Sequence, residues 1–403
     1  MESELLEQKK PVHIVFDALD FKWENIPAKK YDNFLKMKDI EANPDCFHVE
    51  GYPYMLQIEP TNRCNLQCPL CPAGTNRLER ERRDLTLDEF KTIIDDMEDY
   101  LLFLILWEWG EPFMHPQLPE IINYAHERDI KTLTSTNAHF LHDEEYLKRI
   151  LQSGLTTLII AIDSLEQERY EVYRKKGNLS KALDGLKRLV RLKKELKSET
   201  LINLRMVIMK QNEHELPRIR SFAKKMGVDI FTVKTLNPSC GLDSEDSLLV
   251  PTDSKYRRYE YKPDTFERVR EDTHCRKMWF MCSISANGDI VPCGYDYTCK
   301  LNVGNINEKP LSLIWNSEEA HNLRKKLYNQ KDLIPICREC SINFKLTAGG
   351  WFPEAIDFRK NPIAGRVLNE IYGYYQKHKY LQLWAKPFPA LREKFRQLRE
   401  KYN

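Results

Sequence analysis

Short apolar segments and helical segments alternate six times between residues 54 and 236, and this alternation restricts the fold class of the chain. Several of the apolar segments are almost continuous, as in parallel strands that are covered on both faces. Strands are predicted over Tyr54–Glu59, Leu101–Trp107, Lys131–Ser135, Thr157–Ile162, Leu201–Met209 and Asp229–Lys234. The sequence therefore predicts an α/β protein with a partial (βα)6 parallel barrel and right-handed crossovers. Six units are fewer than the eight of a closed barrel, so we expect a lateral opening.

The connection after the first predicted strand carries the clearest helix start in the chain. Thr86 and Glu89 form the pattern of a capping box, and Phe90 begins a series of apolar residues at helical spacing. Further amphipathic helices are predicted near Glu144–Leu151, Leu179–Leu196 and Glu213–Met226. In barrels of parallel strands the chemistry lies at the carboxyl ends of the strands, so functional residues are expected in the loops that follow them.

Three cysteines lie in the polar loop that follows the first predicted strand. Cys64, Cys68 and Cys71 have the spacing C-x3-C-x2-C. Closed zinc sites take four ligands, usually as two separated pairs. Three clustered thiolates instead suit a [4Fe–4S] cube held at three irons, because full ligation takes four cysteines. The fourth iron would stay open to a small molecule, while zinc binding and an incidental cluster of cysteines are the alternatives.

A second group of cysteines lies between residues 274 and 343. Cys275 and Cys293 flank an Asn-Gly turn signal at residues 287–288, which predicts a hairpin. Much later, Cys337 and Cys340 form a C-x2-C pair. Two separated pairs of cysteines also suit tetrahedral zinc, so spacing alone leaves a zinc ribbon and an iron–sulfur site equally open.

Four cysteines remain outside these two groups, and we expect them to be packing or loop residues. Cys282 is an odd number of positions from Cys275 in the same predicted strand, so it should face the other way and pack in the core. Cys299 is an alternative ligand in a turn-rich loop. Cys240 lies in the linker, where a loop cysteine is expected and a catalytic thiol is the alternative, and Cys46 is the fourth of these cysteines. Because no export signal is visible, eleven cysteines indicate metal ligation and not disulfides.

Composition and charge argue against several classes of protein. The 403 residues carry a formal net charge of +2, which is too balanced to indicate nucleic-acid binding. The longest apolar segment, Leu101–Trp107, is far shorter than the roughly 20 residues of a membrane helix. The N-terminus is polar and lacks the apolar segment of a signal peptide. A cytoplasmic protein is therefore predicted.

These patterns divide the chain into five parts. They are an N-terminal arm (1–50), the partial barrel (51–240), a linker or substrate-covering loop (241–270), a second cysteine-rich domain (271–345) and a basic helical tail (346–403). One face of the predicted tail helix carries Leu391, Phe395, Leu398 and Tyr402. This helix is expected to dock on the barrel or on a partner subunit, and the alternative is peripheral contact with an anionic membrane surface.

The first cysteine motif, in its position after a strand, resembles the radical S-adenosylmethionine (SAM) superfamily. In that family SAM chelates the open iron through its amino and carboxylate groups. The second group, together with Asn-Gly-Asp-Ile-Val-Pro before Cys293, is similar to the SPASM/twitch extension, a small β-hairpin/α domain that holds auxiliary [4Fe–4S] clusters. No cysteine follows Cys340. The resemblance therefore implies the one-cluster twitch form, with Cys275, Cys293, Cys337 and Cys340 as ligands.

The same resemblance implies which residues hold SAM. Gly110 and Glu111 match the end of a Gly-Gly-Glu-Pro segment that contacts the SAM amino group, with a tryptophan at the first glycine. Asn137 lies in a segment that resembles the one reaching the SAM ribose, and Asp163 in one that resembles a Ser-Leu-Asp pattern. Arg174 matches an arginine that approaches the SAM carboxylate, for which a guanidinium is well suited. The resemblance does not identify a catalytic base.

The resemblance implies an enzyme, a radical SAM oxidoreductase or transformase. Reductive cleavage of SAM would give a 5′-deoxyadenosyl radical that abstracts a substrate hydrogen, and an auxiliary cluster would complete an oxidation or a C–C or C–S bond formation. The expected substrate is a small carbohydrate, cyclitol or lipid-like molecule, and flavodoxin or ferredoxin is the expected reductant. The alternatives are a maturase of a ribosomally made peptide and, from a different class, a non-catalytic iron–sulfur or zinc scaffold. No nucleic-acid partner is expected.

Overall fold

The computed structural model describes residues 11–42, 47–238, 246–271 and 273–360. Its strands are β1 (Val12–Phe16), β2 (Leu19–Trp23), β3 (Met55–Ile58), β4 (Phe103–Ile105), β5 (Lys131–Thr136), β6 (Thr157–Ala161), β7 (Leu201–Ile208), β8 (Ile230–Thr235), β9 (Met281–Ile284), β10 (Ile290–Val291) and β11 (Glu354–Asp357). Its helices are α1 (Ala28–Ala42), α2 (Leu87–Met97), α3 (Leu118–His126), α4 (Glu144–Gln152), α5 (Gln167–Tyr173), α6 (Leu179–Leu196), α7 (Leu216–Met226), α8 (Leu311–Ile314), α9 (Glu318–Asn329) and α10 (Pro335–Arg338).

Six parallel strands form the centre of the sheet. β3 to β8 lie side by side in chain order, and each strand is parallel to the next. All residues of β4 and nearly all of β6 are buried, as expected for strands covered on both faces. The predicted α/β class and the partial parallel barrel of six units are confirmed.

Helix α2 begins at the predicted capping box. The Thr86 hydroxyl accepts the N–H of Glu89 (3.2 Å), and a Glu89 carboxylate oxygen accepts the N–H of Thr86 (2.7 Å). The buried face of the helix consists of Phe90, Ile93, Ile94 and Met97. This helix forms the first crossover, directly after the loop that carries the first three cysteines.

The hairpin of the second cysteine region extends the barrel sheet at one edge. β9 lies parallel to β3, with Cys282 opposite Leu56, and β10 pairs with β9 in antiparallel orientation. The predicted turn is present, with Gly288 at a φ of +86°. The second cysteine region therefore shares a sheet with the barrel, a connection that the sequence pattern did not reveal.

The opposite edge of the sheet is closed by a strand from the predicted tail. β11 pairs antiparallel with β8, and Arg220 donates two hydrogen bonds to the carboxylate of Glu354 (2.6 and 2.5 Å). The described part of the tail, residues 346–360, thus contributes a strand to the sheet. Pairing with β8 satisfies the hydrogen-bonding groups of what would otherwise be an edge strand. The amphipathic tail segment beyond residue 360 lies outside the described residues.

The N-terminal arm folds as a hairpin that lies along the inner side of the partial barrel. Its tight turn places Asp17 and Ala18 at positive φ (54° and 63°). The ring of Phe21 lies 4.4 Å from that of Phe103 on β4, and Trp23 contacts the same ring edge-on. The hairpin therefore fills part of the opening that a six-stranded barrel leaves.

Candidate active site

One cavity of about 700 Å³ lies inside the partial barrel. It is bordered by the N-terminal hairpin, by the loops after β3, β4 and β5, and by the second cysteine region. The lining side chains include Cys64, Cys68, Cys71, Trp107, Glu108, Trp109, Asn137, Arg174, Lys234, Arg258, Lys277 and Tyr295. The carboxyl ends of the barrel strands thus converge on one space, as the fold class predicts.

The loop after β3 brings the first three thiols together in this cavity. The N–H of Cys71 donates to the carbonyl of Cys68 (3.1 Å), and backbone N–H groups point at the sulfurs of Cys64 and Cys71. Burial raises the pKa of Cys64 to about 12 and that of Cys68 to about 11. Such thiols ionise when a positively charged metal group binds them, and N–H···S bonds stabilise the resulting thiolates. The donor set therefore fits an iron–sulfur cluster.

The Gly-Glu-Pro segment after β4 packs tightly against this loop. A side chain at residue 110 would overlap the backbone carbonyl of Thr61, so only glycine fits there. The buried carboxylate of Glu111 accepts the N–H groups of Phe113 (3.1 Å) and Asn137 (2.7 Å), and burial raises its pKa to about 7. Glu111 thus joins the ends of β4 and β5, and its carboxylate supports the loop that presents Asn137.

Arg174 faces the cysteines and is held in place by Asp163. The guanidinium Nε donates to a carboxylate oxygen of Asp163 (2.6 Å), whose other oxygen accepts the N–H of Val207 (2.8 Å). Arg174 lines the cavity and lowers the pKa of Cys68 against the effect of burial. Asp163 is buried and does not line the cavity. Its contact is with Arg174, which it positions, whereas the resemblance implied that Asp163 itself binds SAM.

The second cysteine region brings four thiols together. Burial raises the pKa of Cys337, and the thiols of Cys293, Cys275 and Cys340 raise it further. Backbone N–H groups of Lys277 and Tyr295 point at the sulfurs of Cys275 and Cys293. These four cysteines, which lie far apart in sequence, form one potential ligand set.

The remaining cysteines lie apart from both sets or outside the described residues. Cys282 is fully buried in the core between β3 and β10, as expected for a packing residue. Cys299 lies beside Arg80 and Asp289 and is not among the neighbours of the four thiols. Cys46 and Cys240 are outside the described residues.

Neither thiol set has the geometry of a single-ion site. Within the described ranges, no three His, Cys, Asp or Glu side chains are placed to bind one metal ion together. In a [4Fe–4S] cube each thiolate binds a different iron, so the sulfurs lie farther apart than around one zinc ion.

The two cysteine regions contact each other through the loop after β4. The Trp109 indole N–H donates to the carbonyl of Gly294 (2.6 Å), and its ring lies edge-on to Tyr297 at 6.0 Å. A side chain at residue 294 would overlap the carboxylate of Glu108. Trp109, which stands at the first glycine of the Gly-Gly-Glu-Pro segment, therefore contacts the second cysteine region.

The buried carboxylate of Glu59 stabilises this contact between the two cysteine regions. Glu59 receives two hydrogen bonds from Arg80 (2.7 and 2.8 Å), and it also accepts the N–H groups of Trp109 (3.1 Å) and Ala286 (2.9 Å). Glu59 follows β3, so its side chain links the end of β3, the loop after β4 and the hairpin of the second region.

Sequence reasoning missed two sets of polar residues in the cavity. Glu108 lies between Trp107 and Trp109, and burial together with the charge of Glu59 raises its pKa to about 8. Lys234 and Arg258 line the opposite side. A lysine near the carboxyl end of a strand that carries no other charged residue was the signal available for Lys234. Phe113 does not line the cavity, and its ring packs edge-on against that of Tyr146.

A partial parallel barrel that carries three thiols after its first strand, joined to a hairpin domain with four more, defines a class of iron–sulfur enzymes. The family model of the radical SAM superfamily matches residues 58–223, and that of SPASM, an iron–sulfur cluster-binding domain, matches residues 275–341. The first match contains Cys64, Cys68 and Cys71, and the second contains the four remaining ligand candidates. The chain belongs to the radical SAM superfamily and carries a SPASM domain, so the non-catalytic scaffold is not supported.

Relatives with known roles span most of the chain. The tungsten-containing aldehyde ferredoxin oxidoreductase cofactor-modifying protein of Pyrococcus furiosus is 25% identical over 71% of this chain and 87% of its own length. PqqA peptide cyclase of Granulibacter bethesdensis is 28% identical over 72% of this chain and 79% of its own. Streptococcus suis SuiB bound to SAM has a similar fold, with a TM-score of 0.55 and 16% identity over 79% of each chain.

Family membership defines the cofactors. They are SAM, the [4Fe–4S] cluster that binds SAM, and auxiliary [4Fe–4S] ligation by the SPASM domain. The four thiols of the second region are the ligand number for one such cluster. Among the helices that the structure describes, none has both the length and the apolar character needed to cross a membrane.

Proposed function

We propose that this protein uses SAM to abstract a hydrogen atom from a small-molecule substrate and completes an oxidation or a C–C or C–S bond formation with one auxiliary [4Fe–4S] cluster. One observation carries the proposal. The cavity is lined both by the first three thiols and by residues of the second cysteine region, including Gly294 and Tyr295. A substrate in this cavity would therefore lie between the two cluster sites.

The described residues divide into those that would hold each group. Cys64, Cys68 and Cys71 would bind the first cluster, and Cys275, Cys293, Cys337 and Cys340 the auxiliary one. Gly110, Glu111, Asn137 and Arg174 would hold SAM, with Arg174 toward its carboxylate and Asp163 as the positioning residue. When bound and reduced, these cofactors supply a 5′-deoxyadenosyl radical and an electron acceptor.

The protein's own contribution is to exclude water and to manage a proton. Trp107 and Trp109 line the cavity and shield it from solvent on the side of the second region. Glu108 lies between them with a pKa near neutrality, raised to about 8 by burial. A group with such a pKa exchanges protons readily at neutral pH. We assign Glu108 the transfer of the substrate proton that an oxidation releases.

The size of the cavity supports a small substrate. Its volume of about 700 Å³ would be shared with SAM and the first cluster, so the space left for the substrate is smaller than this, and small-molecule sites usually have about 300–1,000 Å³. The N-terminal arm, residues 11–42 of which are described, occupies the barrel opening with its hairpin. The second candidate is a peptide maturase, which is favoured by the 28% identity to PqqA peptide cyclase.

Deuterium transfer tests this proposal. The anaerobically reconstituted holoenzyme is incubated with SAM, a reductant and perdeuterated candidates from three groups: carbohydrates and cyclitols, lipid-like molecules, and short peptides. Deuterium in 5′-deoxyadenosine from a member of the first two groups supports the proposal. Deuterium from peptides alone establishes the maturase, and the absence of any 5′-deoxyadenosine contradicts both.

The remaining partners and the location complete the proposal. Flavodoxin or ferredoxin would deliver the electron that starts SAM cleavage, and the protein would act in the cytoplasm. Contact of the basic tail with a membrane surface stays a prediction from sequence, because residues 361–403 are outside the described part of the chain. Cleavage of SAM with reduced flavodoxin in place of dithionite tests the proposed electron donor.

A further inference from the structure

Three cations meet on the side of the cavity that is formed by β7 and β8. Arg205 extends from β7, Lys234 from β8, and Arg258 from the segment that follows. Arg205 and Arg258 are buried, and the Lys234 side chain is 29% exposed. Lys234 and Arg258 line the same cavity as the first three thiols.

The tip of the N-terminal hairpin supplies one carboxylate to this cluster. Asp17 forms an ion pair with Arg205, and its backbone carbonyl accepts a second hydrogen bond from that guanidinium (3.1 Å). The contact between Asp17 and the Lys234 ammonium is longer, at 3.4 Å. Arg258 does not contact Asp17; it donates to the hydroxyl (3.1 Å) and the carbonyl (2.6 Å) of Thr235.

The aromatic residues before β11 stabilise the cations without neutralising them. The ring of Phe352 lies 5.1 Å from the Arg205 guanidinium and 5.4 Å from the Lys234 ammonium. Arg258 lies 4.8 Å from the ring of Trp351. These contacts favour positive charge through the π faces, but they add no negative charge.

The charges of this cluster do not balance. Among the described residues, Asp17 is the one carboxylate that contacts the three cations, which leaves an excess of two positive charges in a largely buried place. Burial, with the charges of Arg205 and Arg258, lowers the pKa of Lys234 to about 8, although Asp17 acts in the opposite direction. Buried charges are stable when they are paired, so a second anion would stabilise this site.

We propose that Lys234 and Arg258 form a subsite for an oxyanion of the substrate, a carboxylate or a phosphate group, with Arg205 and Asp17 as its fixed neighbours. The contact of Asp17 with Lys234 is longer than its contact with Arg205. The incoming oxyanion would therefore replace Asp17 at Lys234, while the ion pair between Asp17 and Arg205 stays in place. The assignment of the oxyanion to the substrate rests on the proposed function, because the substrate would occupy the same cavity. The substrate class is thereby narrowed to anionic small molecules.

Lysine footprinting tests the subsite with orthophosphate and acetate as probes. The SAM-bound holoenzyme is acetylated briefly with a neutral succinimidyl ester, at constant ionic strength with sodium chloride as the blank, and labelling at each lysine is read by mass spectrometry. We expect orthophosphate or acetate to slow labelling of Lys234 by about tenfold, which corresponds to one charge-assisted contact. The exposed Lys22 should be labelled at an unchanged rate. The probe that protects at the lower concentration identifies the group.

A matched pair of hairpin variants separates anion binding from anchoring of the hairpin. Asp17→Asn removes the competing carboxylate and should lower the half-protecting concentration by about tenfold, whereas Asp20→Asn, on the exposed part of the same hairpin, should leave it unchanged. Arg258→Gln should abolish the protection. Equal labelling of Lys234 in chloride, phosphate and acetate in the wild-type protein would overturn the proposal without reliance on any variant.

The footprinting test of the subsite and the test of the proposed function can fail independently. Formation of 5′-deoxyadenosine is measured in the same preparation. Protection of Lys234 without SAM cleavage would retain the subsite and contradict the proposed function, and cleavage without protection would do the reverse.

Discussion

The two thiol sets differ in their relation to the cavity. Cys64, Cys68 and Cys71 line it, whereas the four cysteines of the second region do not. The first set lies beside Arg174, which Asp163 holds, and the second lies beside Lys277. Three thiols facing a cavity leave one iron for a ligand, while four thiols set back from it leave none. Under the proposed function, the first set would be the site of ligand exchange and the second set the site of electron transfer.

Removing one thiol of the first set should have the largest effect. In Cys68→Ala, formation of 5′-deoxyadenosine should fall to the level without enzyme, because the cluster would lose one of its three protein ligands. The assay is SAM cleavage under dithionite, with Cys299→Ala as the control that should retain activity. Cleavage at the wild-type rate by Cys68→Ala would remove the basis of the comparison.

Removing one thiol of the second set should separate cleavage from product formation. We expect Cys337→Ala to lose about half of its iron, one of two clusters, and to retain cleavage of SAM while product formation ceases. Iron analysis and both product assays check this. If product formation persists, the second set is not an electron acceptor.

A smaller effect is expected at the arginine beside the first set. Arg174→Lys keeps the charge but loses the planar guanidinium, so the KM for SAM should rise about tenfold, the value of one strong hydrogen bond. The control is Arg191→Lys, which changes an exposed helix residue in the same way. An unchanged KM would place the SAM carboxylate elsewhere.

The pH dependence of stability should show the burial of Glu108. Its folded pKa is raised from 4.5 to about 8, so the folded protein retains a proton that the unfolded chain releases above pH 4.5. Stability should therefore fall as the pH rises from about 5 to 8, and Glu108→Gln should remove this part of the slope. Thermal unfolding across this range is the measurement. Glu79→Gln, at an exposed site, should leave the slope unchanged.

The smallest effect is expected at the core cysteine between the two regions. Cys282→Ala should cost about 1 kcal/mol of unfolding free energy, the value of a small cavity, and leave the iron content unchanged. Chemical unfolding and iron analysis check both. Loss of iron in this variant would make Cys282 a ligand and would change the count of the second set.

Local patterns predicted the parts of the structure that depend on neighbouring residues. The strands β3 to β8 follow from apolar segments, α2 from Thr86 and Glu89, and both thiol sets from spacing. Burial and period are properties of short segments, so a single sequence displays them. The predicted fold class was confirmed for the same reason. The superfamily was implied by the resemblance of the cysteine motifs, and the family models confirm it.

Pairing between distant segments was not predictable in this way. β9 joins β3, and β11 joins β8, across more than a hundred residues, and neither segment carries a mark of its partner. Lys234, the one charged residue of β8, and Glu108, between two tryptophans, acquire their environment only when the hairpin and the second region are in place. Their chemical role is set by tertiary contacts.

The carboxylate of Glu59 has a consequence for engineering and for domain exchange. It is 1% exposed and binds Arg80 together with two backbone N–H groups from different regions. A hydrogen bond to a buried charged group contributes about 1.5–3 kcal/mol. A chimaera that receives a foreign C-terminal module must therefore supply a backbone N–H at the position of residue 286, or the Glu59 carboxylate loses one of its four hydrogen bonds at the joint between the modules.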